Sequence, residues 1–93
     1  MKVSKFLYEF DKYKNNINVG ALPKDIKKYY KSANRGAKVI KMLYRFKSKN
    51  KEMPLPISVK AEKVLCFMRI VSELQFDKKP ISLKKIKEEC DLE

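Results

Sequence analysis

Apolar residues along this 93-residue chain recur at threes and fours and nowhere alternate convincingly, so the pattern predicts helices and no strand. Val3, Phe6, Leu7, Phe10 and Tyr13 form one stripe. With Ser4 as N-cap and Asn15-Asn16 as a stop, they predict a first helix of about three turns. Residues 17–22 read as a loop. Pro23 suits the first position of a second helix, where its missing N–H has no intrahelical partner to lose. From there Ile26, Tyr30, Ala33, Ala37, Ile40 and Tyr44 are spaced four, three, four, three, four, and the phase passes through Gly36 without a slip. This favours one long helix, open to a kink near Gly36. Ser32, Asn34 and Gly36 are poor helix formers, and the competing reading splits the segment in two with Asn34 as the second cap.

Residues 48–57 predict a linker, extended through Met53-Pro54-Leu55-Pro56 because each proline biases its predecessor away from helix. Ser58 can cap a helix over Val59–Gln75, with Ala61, Val64, Leu65, Met68, Val71 and Leu74 along one side. Cys66, Phe67 and Ile70 widen its apolar surface and mark it as the central helix. Phe76 to Pro80 makes a turn, and Ser82 caps a last helix from Leu83 to about Cys90. Ile81 and Ile86 have the spacing of a hydrophobic staple across that cap. The expected architecture is all-α: residues 1–93 form a single-domain bundle of four to five helices, one of them long and basic.

Charge changes this picture. Lys and Arg number 23 against 11 Asp and Glu, a net charge of +12. Residues 1–51 hold 13 Lys and 2 Arg against Glu9, Asp11 and Asp25, while residues 52–93 are neutral, so the whole excess lies in the N-terminal half. Such asymmetry points to a polyanionic partner. At about 100° per residue, Lys24, Lys27, Lys28, Lys31, Arg35, Lys38, Lys41 and Arg45 fall within one arc, opposite Ile26, Tyr29, Ala33, Ile40 and Tyr44. The ordinary alternative is a solvated face, but such faces are usually salted with acids, and Asp25 is the only acid between residues 24 and 51. A continuous helix carries these charges over about 30 Å, a length that can track phosphates. Lys outnumbers Arg 20 to 3, which disfavours base readout, because the bidentate major-groove contact is chiefly an arginine habit. Tyr30 and Tyr44 lie on the apolar arc and are expected to pack in the core, while Tyr8, Tyr29 and Phe46 are open to other roles.

Other chemistry is sparse. There is no His, Trp or Thr, so the commonest general base and metal ligand are missing, and no metal or other cofactor is expected. Cys66 and Cys90 lack a Cys-x-x-Cys pairing, and buried reduced thiols are the expected state, with a disulfide the lesser option. Glu88, Glu89, Asp91 and Glu93 cluster at the tail without a nucleophile or phosphate loop, and read as a flexible acidic end. The expected protein is not an enzyme. Its longest apolar run, Val64 to Met68, is far short of a bilayer span, and the first residues do not read as a signal peptide, so a cytoplasmic protein without membrane contact is expected.

Residues 80–92, Pro-Ile-Ser-Leu-Lys-Lys-Ile-Lys-Glu-Glu-Cys-Asp-Leu, taken with the helix over 59–75, resemble the opening helices of helix-turn-helix and winged-helix domains. The resemblance covers about a third of the chain and stops at Glu93, where the recognition helix should begin, so no base-reading residue is carried over. Two functions remain from the residues themselves. One is a nucleic-acid-binding accessory factor of low sequence specificity, holding DNA or RNA phosphates through the arc of residues 24–45. The other is an adaptor whose neutral half, residues 58–93, docks on a larger protein such as a polymerase while the basic half helps grip the template, using the apolar residues least clearly internal, Met53, Leu55 and Phe76, with Phe67 in the same group. Behind these stand an inhibitor binding an acidic protein surface and, last, a basic amphipathic membrane-surface helix.

Overall fold

Phe6 and Phe10 stand one turn apart on the first helix, their rings 6.0 Å apart, and both are buried. They anchor α1, Val3–Asn15, against the rest of the chain. The computed structural model describes residues 3–47 and 59–92, which form α1, a 3-10 turn at Val19–Ala21, α2 over Lys24–Lys47, α3 over Val59–Phe76 and α4 over Leu83–Glu89. No strand occurs among these residues, so the all-α architecture holds. The expected linker and the Ser58 cap lie outside the described residues, as do Met53 and Leu55.

α1 packs mainly on α3 and also on α2, and α4 lies on α3. The core therefore draws on both halves: Phe6 and Phe10 from α1, Ile26, Tyr30, Ala33 and Ala37 from α2, Leu65, Phe67, Met68 and Val71 from α3, and Ile86 with Cys90 at the end. α2 is one helix of 24 residues, and it runs through Gly36 without a break. The Ile26 to Ala37 stripe explains this, since burial of four residues in phase offsets the roughly 1 kcal/mol that one glycine costs. The loop before it is ordered by burial of Ile17 and Leu22 at its two ends. A two-way clasp adds to this: the Asn18 N–H donates to Gln75 Oε1 at 2.7 Å, and Gln75 Nε2 donates to the Asn18 carbonyl at 2.9 Å.

Several expectations need correction. α1 already includes Ser4, because Val3 is itself buried and opens the stripe. Pro23 stands just outside α2, where its carbonyl accepts the first helical bond from the Lys27 N–H at 2.8 Å. Phe67 is fully buried, with Tyr29 tilted against it at a ring separation of 4.6 Å. Cys66 and Cys90 are joined in a disulfide with Cα atoms 5.7 Å apart, within the window such bonds require. Sequence spacing does not reveal that α4 ends directly over the middle of α3. Nor is the acidic end loose as far as residue 92: Glu88 and Glu89 belong to α4, and Asp91 pairs with Lys63 at 3.3 Å. Ser82 does precede α4 as its N-cap, but through its backbone, whose carbonyl accepts from the Ile86 N–H at 3.1 Å, without a side-chain bond. Ile81 and Ile86 both join the core, as the staple spacing implies.

Candidate nucleic-acid interface

Because α2 is continuous, its polar residues keep a constant helical phase from end to end. Lys24, Lys28, Lys31, Arg35, Lys38, Met42 and Arg45 follow one another at four, three, four, three, four, three, and all seven are exposed. Six of the seven are cations, in a row about 30 Å long. Lys27 and Lys41 flank it and are half-buried, as expected of long side chains whose stems lie along the neighbouring apolar surface. All eight predicted residues are thus on one helix, with six fully presented to solvent.

Among the described residues no carboxylate pairs with a cation of α2. The ion pair found there, Lys63 with Asp91, is on the other side of the chain's charge divide. Asp25, the one acid of α2, sits in the first turn, where its Oδ1 accepts from the Ile26 N–H at 2.8 Å. That placement suits the positive end of the helix dipole and leaves the cationic row unneutralised. Crowding of like charges one turn apart costs an isolated helix stability, and a polyanion relieves it.

The tyrosine rings of α2 turn away from this row, and the Phe46 side chain lies outside what the structure describes. Tyr30 is buried, Tyr29 packs on Phe67, and Tyr44 is half-buried. Burial raises the hydroxyl pKa of both Tyr29 and Tyr30 above the ordinary 10.0. Tyr8, at 72% exposure, is free on α1.

Of the residues expected to hold a protein partner, Phe76 is 86% exposed at the end of α3. It borders an open cleft of about 460 Å³ of mixed character, lined by Ala21 as well as by polar residues such as Asn18, Glu73 and Asp77. Among the described residues no three His, Cys, Asp or Glu side chains come together as a metal site, and no helix is long and apolar enough to cross a membrane. The sequence reading missed Val39, Met42 and Leu43, which are exposed on α2. The signal in the sequence was partial: they lie off the apolar arc, but phase alone does not say which turns of α2 a neighbouring helix covers.

In comparisons with known proteins, no family model, no curated protein and no solved structure matches this chain. The described residues also give no sign of a winged-helix domain, since α3 and α4 are followed by no strand among them.

Proposed function

We propose that the protein binds nucleic acid through phosphate contacts from α2, with little dependence on base sequence, as an accessory factor rather than an enzyme. The observation that carries this reading is the exposed, unpaired cationic row from Lys24 to Arg45 on one unbroken helix. Phosphate oxygens every few ångströms match such a row, and release of their counterions supplies the driving force. Inward-facing tyrosines leave no stacking ring in the row, and four of its six cations are lysine, so point charges on phosphate do the binding. The reading keeps the protein in the cytoplasm, where the Cys66–Cys90 bond would be open to reduction.

Titration with labelled single-stranded and duplex DNA and RNA at several salt concentrations tests it. Affinity should fall steeply with salt. Replacing Lys28, Lys31, Arg35 and Lys38 together by Ala should lower the duplex salt slope by about 3 to 4, at roughly 0.9 per lost phosphate contact. Replacing Lys78, Lys79, Lys84 and Lys85 should do much less. Equal effects from the two sets would remove α2 as the site, and no binding at low salt would remove the function.

A further inference from the structure

Not all apolar residues of α2 serve the core. Val39, Met42 and Leu43 are 55%, 70% and 49% exposed, on a side of the helix turned away from Ile26, Tyr30, Ala33 and Ala37. Their spacing of three and one places them together on two adjacent turns. Ser32 and Gly36 extend the line toward the N-terminus, giving exposed positions 32, 36, 39 and 43 at four, three, four, the spacing of a seam that accepts the knobs of a second helix. A Cβ built at Gly36 meets nothing within 4 Å, so a second backbone has room to approach there. Along one edge of the seam run Lys28, Arg35 and Met42 at seven-residue intervals, with Lys38 and Arg45 beyond them and Asp25, one turn before Lys28, the one acid of the helix.

We propose that this part of α2, residues 36–43 with its cationic edge, docks an amphipathic helix of a partner protein whose apolar stripe is flanked by Asp or Glu. Charge complementarity selects that occupant. A second copy of this chain would set Lys28, Arg35 and Lys38 against their own counterparts, with only Asp25 on the helix to answer them. Nucleic-acid phosphates answer the cations but give Val39, Met42 and Leu43 nothing apolar to bury against. An anionic membrane fits less well. The arc that carries Met42 and Val39 near the end of α2 carries Lys24, Lys28 and Arg35 earlier, so a helix lying in the interface would drive those cations into the apolar layer. A helix crossing α2 touches only about two turns, which is the length of the apolar patch. Val39, Met42 and Leu43 are not among the phosphate-binding cations, so this docking does not rest on the function proposed above, but its acidic flanks compete with nucleic acid for Arg35, Lys38 and Arg45.

The test uses the full chain and a fluorescent synthetic helix of about four turns with Leu at i, i+3, i+4 and i+7 and Glu on both flanks. Anisotropy should show saturable binding, weakened at least about tenfold by combined Val39→Ser, Met42→Ser and Leu43→Ser. Circular dichroism of that variant should be unchanged, since all three side chains are exposed. On the peptide side, Leu→Ser changes should weaken binding as much, and Glu→Lys changes should abolish it. The proposal falls if the peptide binds the triple variant, or its own Leu→Ser form binds the unaltered protein, as tightly as the matched pair. It falls equally if the triple Ser change instead dissolves a dimer of the protein in sedimentation, or releases it from phosphatidylserine-rich vesicles while peptide binding is absent.

Discussion

Tyr29 and Tyr30 are adjacent in sequence, and both lose water on folding, by different routes. Tyr30 enters the core on the main stripe of α2, and its burial was legible from the four-three spacing. Tyr29 lies at the edge of that stripe and is covered by Phe67 of α3, a tertiary contact that no local pattern announces. For the same reason Phe67 was misread as doubtful, because it stands off the main line of α3 and its cover comes from a distant segment. Desolvation raises both hydroxyl pKa values, so the folded state holds these protons more tightly than the unfolded chain. The sign follows by linkage: the contribution is fully present below about pH 10 and is lost as pH rises through the raised folded values. Stability measured by denaturant titration should therefore hold up to about pH 10 and fall above it, and Tyr29→Phe with Tyr30→Phe should flatten that fall. An equally steep fall in the double variant would assign the alkaline loss to other groups.

Helix ends show what propensity leaves out. The chain has no glycine after Gly36, so the end of α3 was legible only from its fading apolar pattern and Pro80, one residue short of where it occurs. The structure closes the helix with Lys78 at φ 56°, the Lys79 N–H donating to the Leu74 carbonyl at 2.9 Å and the Lys78 N–H to Gln75 at 3.2 Å. This is the Schellman arrangement, in which the left-handed position usually belongs to glycine. Asp91, at φ 52°, closes α4 in a related way, with the Leu92 N–H donating to the Lys87 carbonyl at 2.8 Å. A lysine side chain in this conformation costs about 1 kcal/mol relative to glycine. Lys78→Gly should therefore raise unfolding free energy by about that amount in a urea titration, whereas Lys78→Ala, which loses the same charge and keeps the strained Cβ, should gain little. A matching gain in the Ala variant would mean that charge, not backbone, is being relieved.

At the scale of the molecule, the charge divide between residues 1–51 and 52–93 does not divide the core, since α1 of the basic half packs chiefly on α3 of the neutral half. Amphipathic phase made the helices, the long α2 and its cationic row legible. It left open which turns of α2 lie beyond the core, and so hid Val39, Met42 and Leu43, whose exposure depends on where α1 and α3 stop covering the helix. The pairing of Cys66 with Cys90 was hidden in the same way, because it depends on how α4 folds back over α3.

That bond matters most to a chain of this size. A domain of about this size has only about 5 to 15 kcal/mol of net stability, and α4, the shortest α-helix among the described residues, has seven residues with Ile86 its one buried side chain. Such a helix does not stand alone in water. The bond joins residues 24 apart, and closing a loop of that length lowers the entropy of the unfolded chain by the equivalent of about 3.5 kcal/mol. At about 4 to 8 °C per kcal/mol, reduction should lower the melting temperature by on the order of 20 °C. Cys66→Ala with Cys90→Ala should match the reduced protein and respond to reductant no further. Because α2 contributes Ile26, Tyr30, Ala33 and Ala37 to the part of the core built around α1 and α3, the cationic row should survive this loss below the new midpoint. Duplex affinity at low temperature should then be the same with the bond open or closed. A melting temperature indifferent to reductant would show that the bond does not form in solution, and an affinity that changes with it would tie α4 to the binding face.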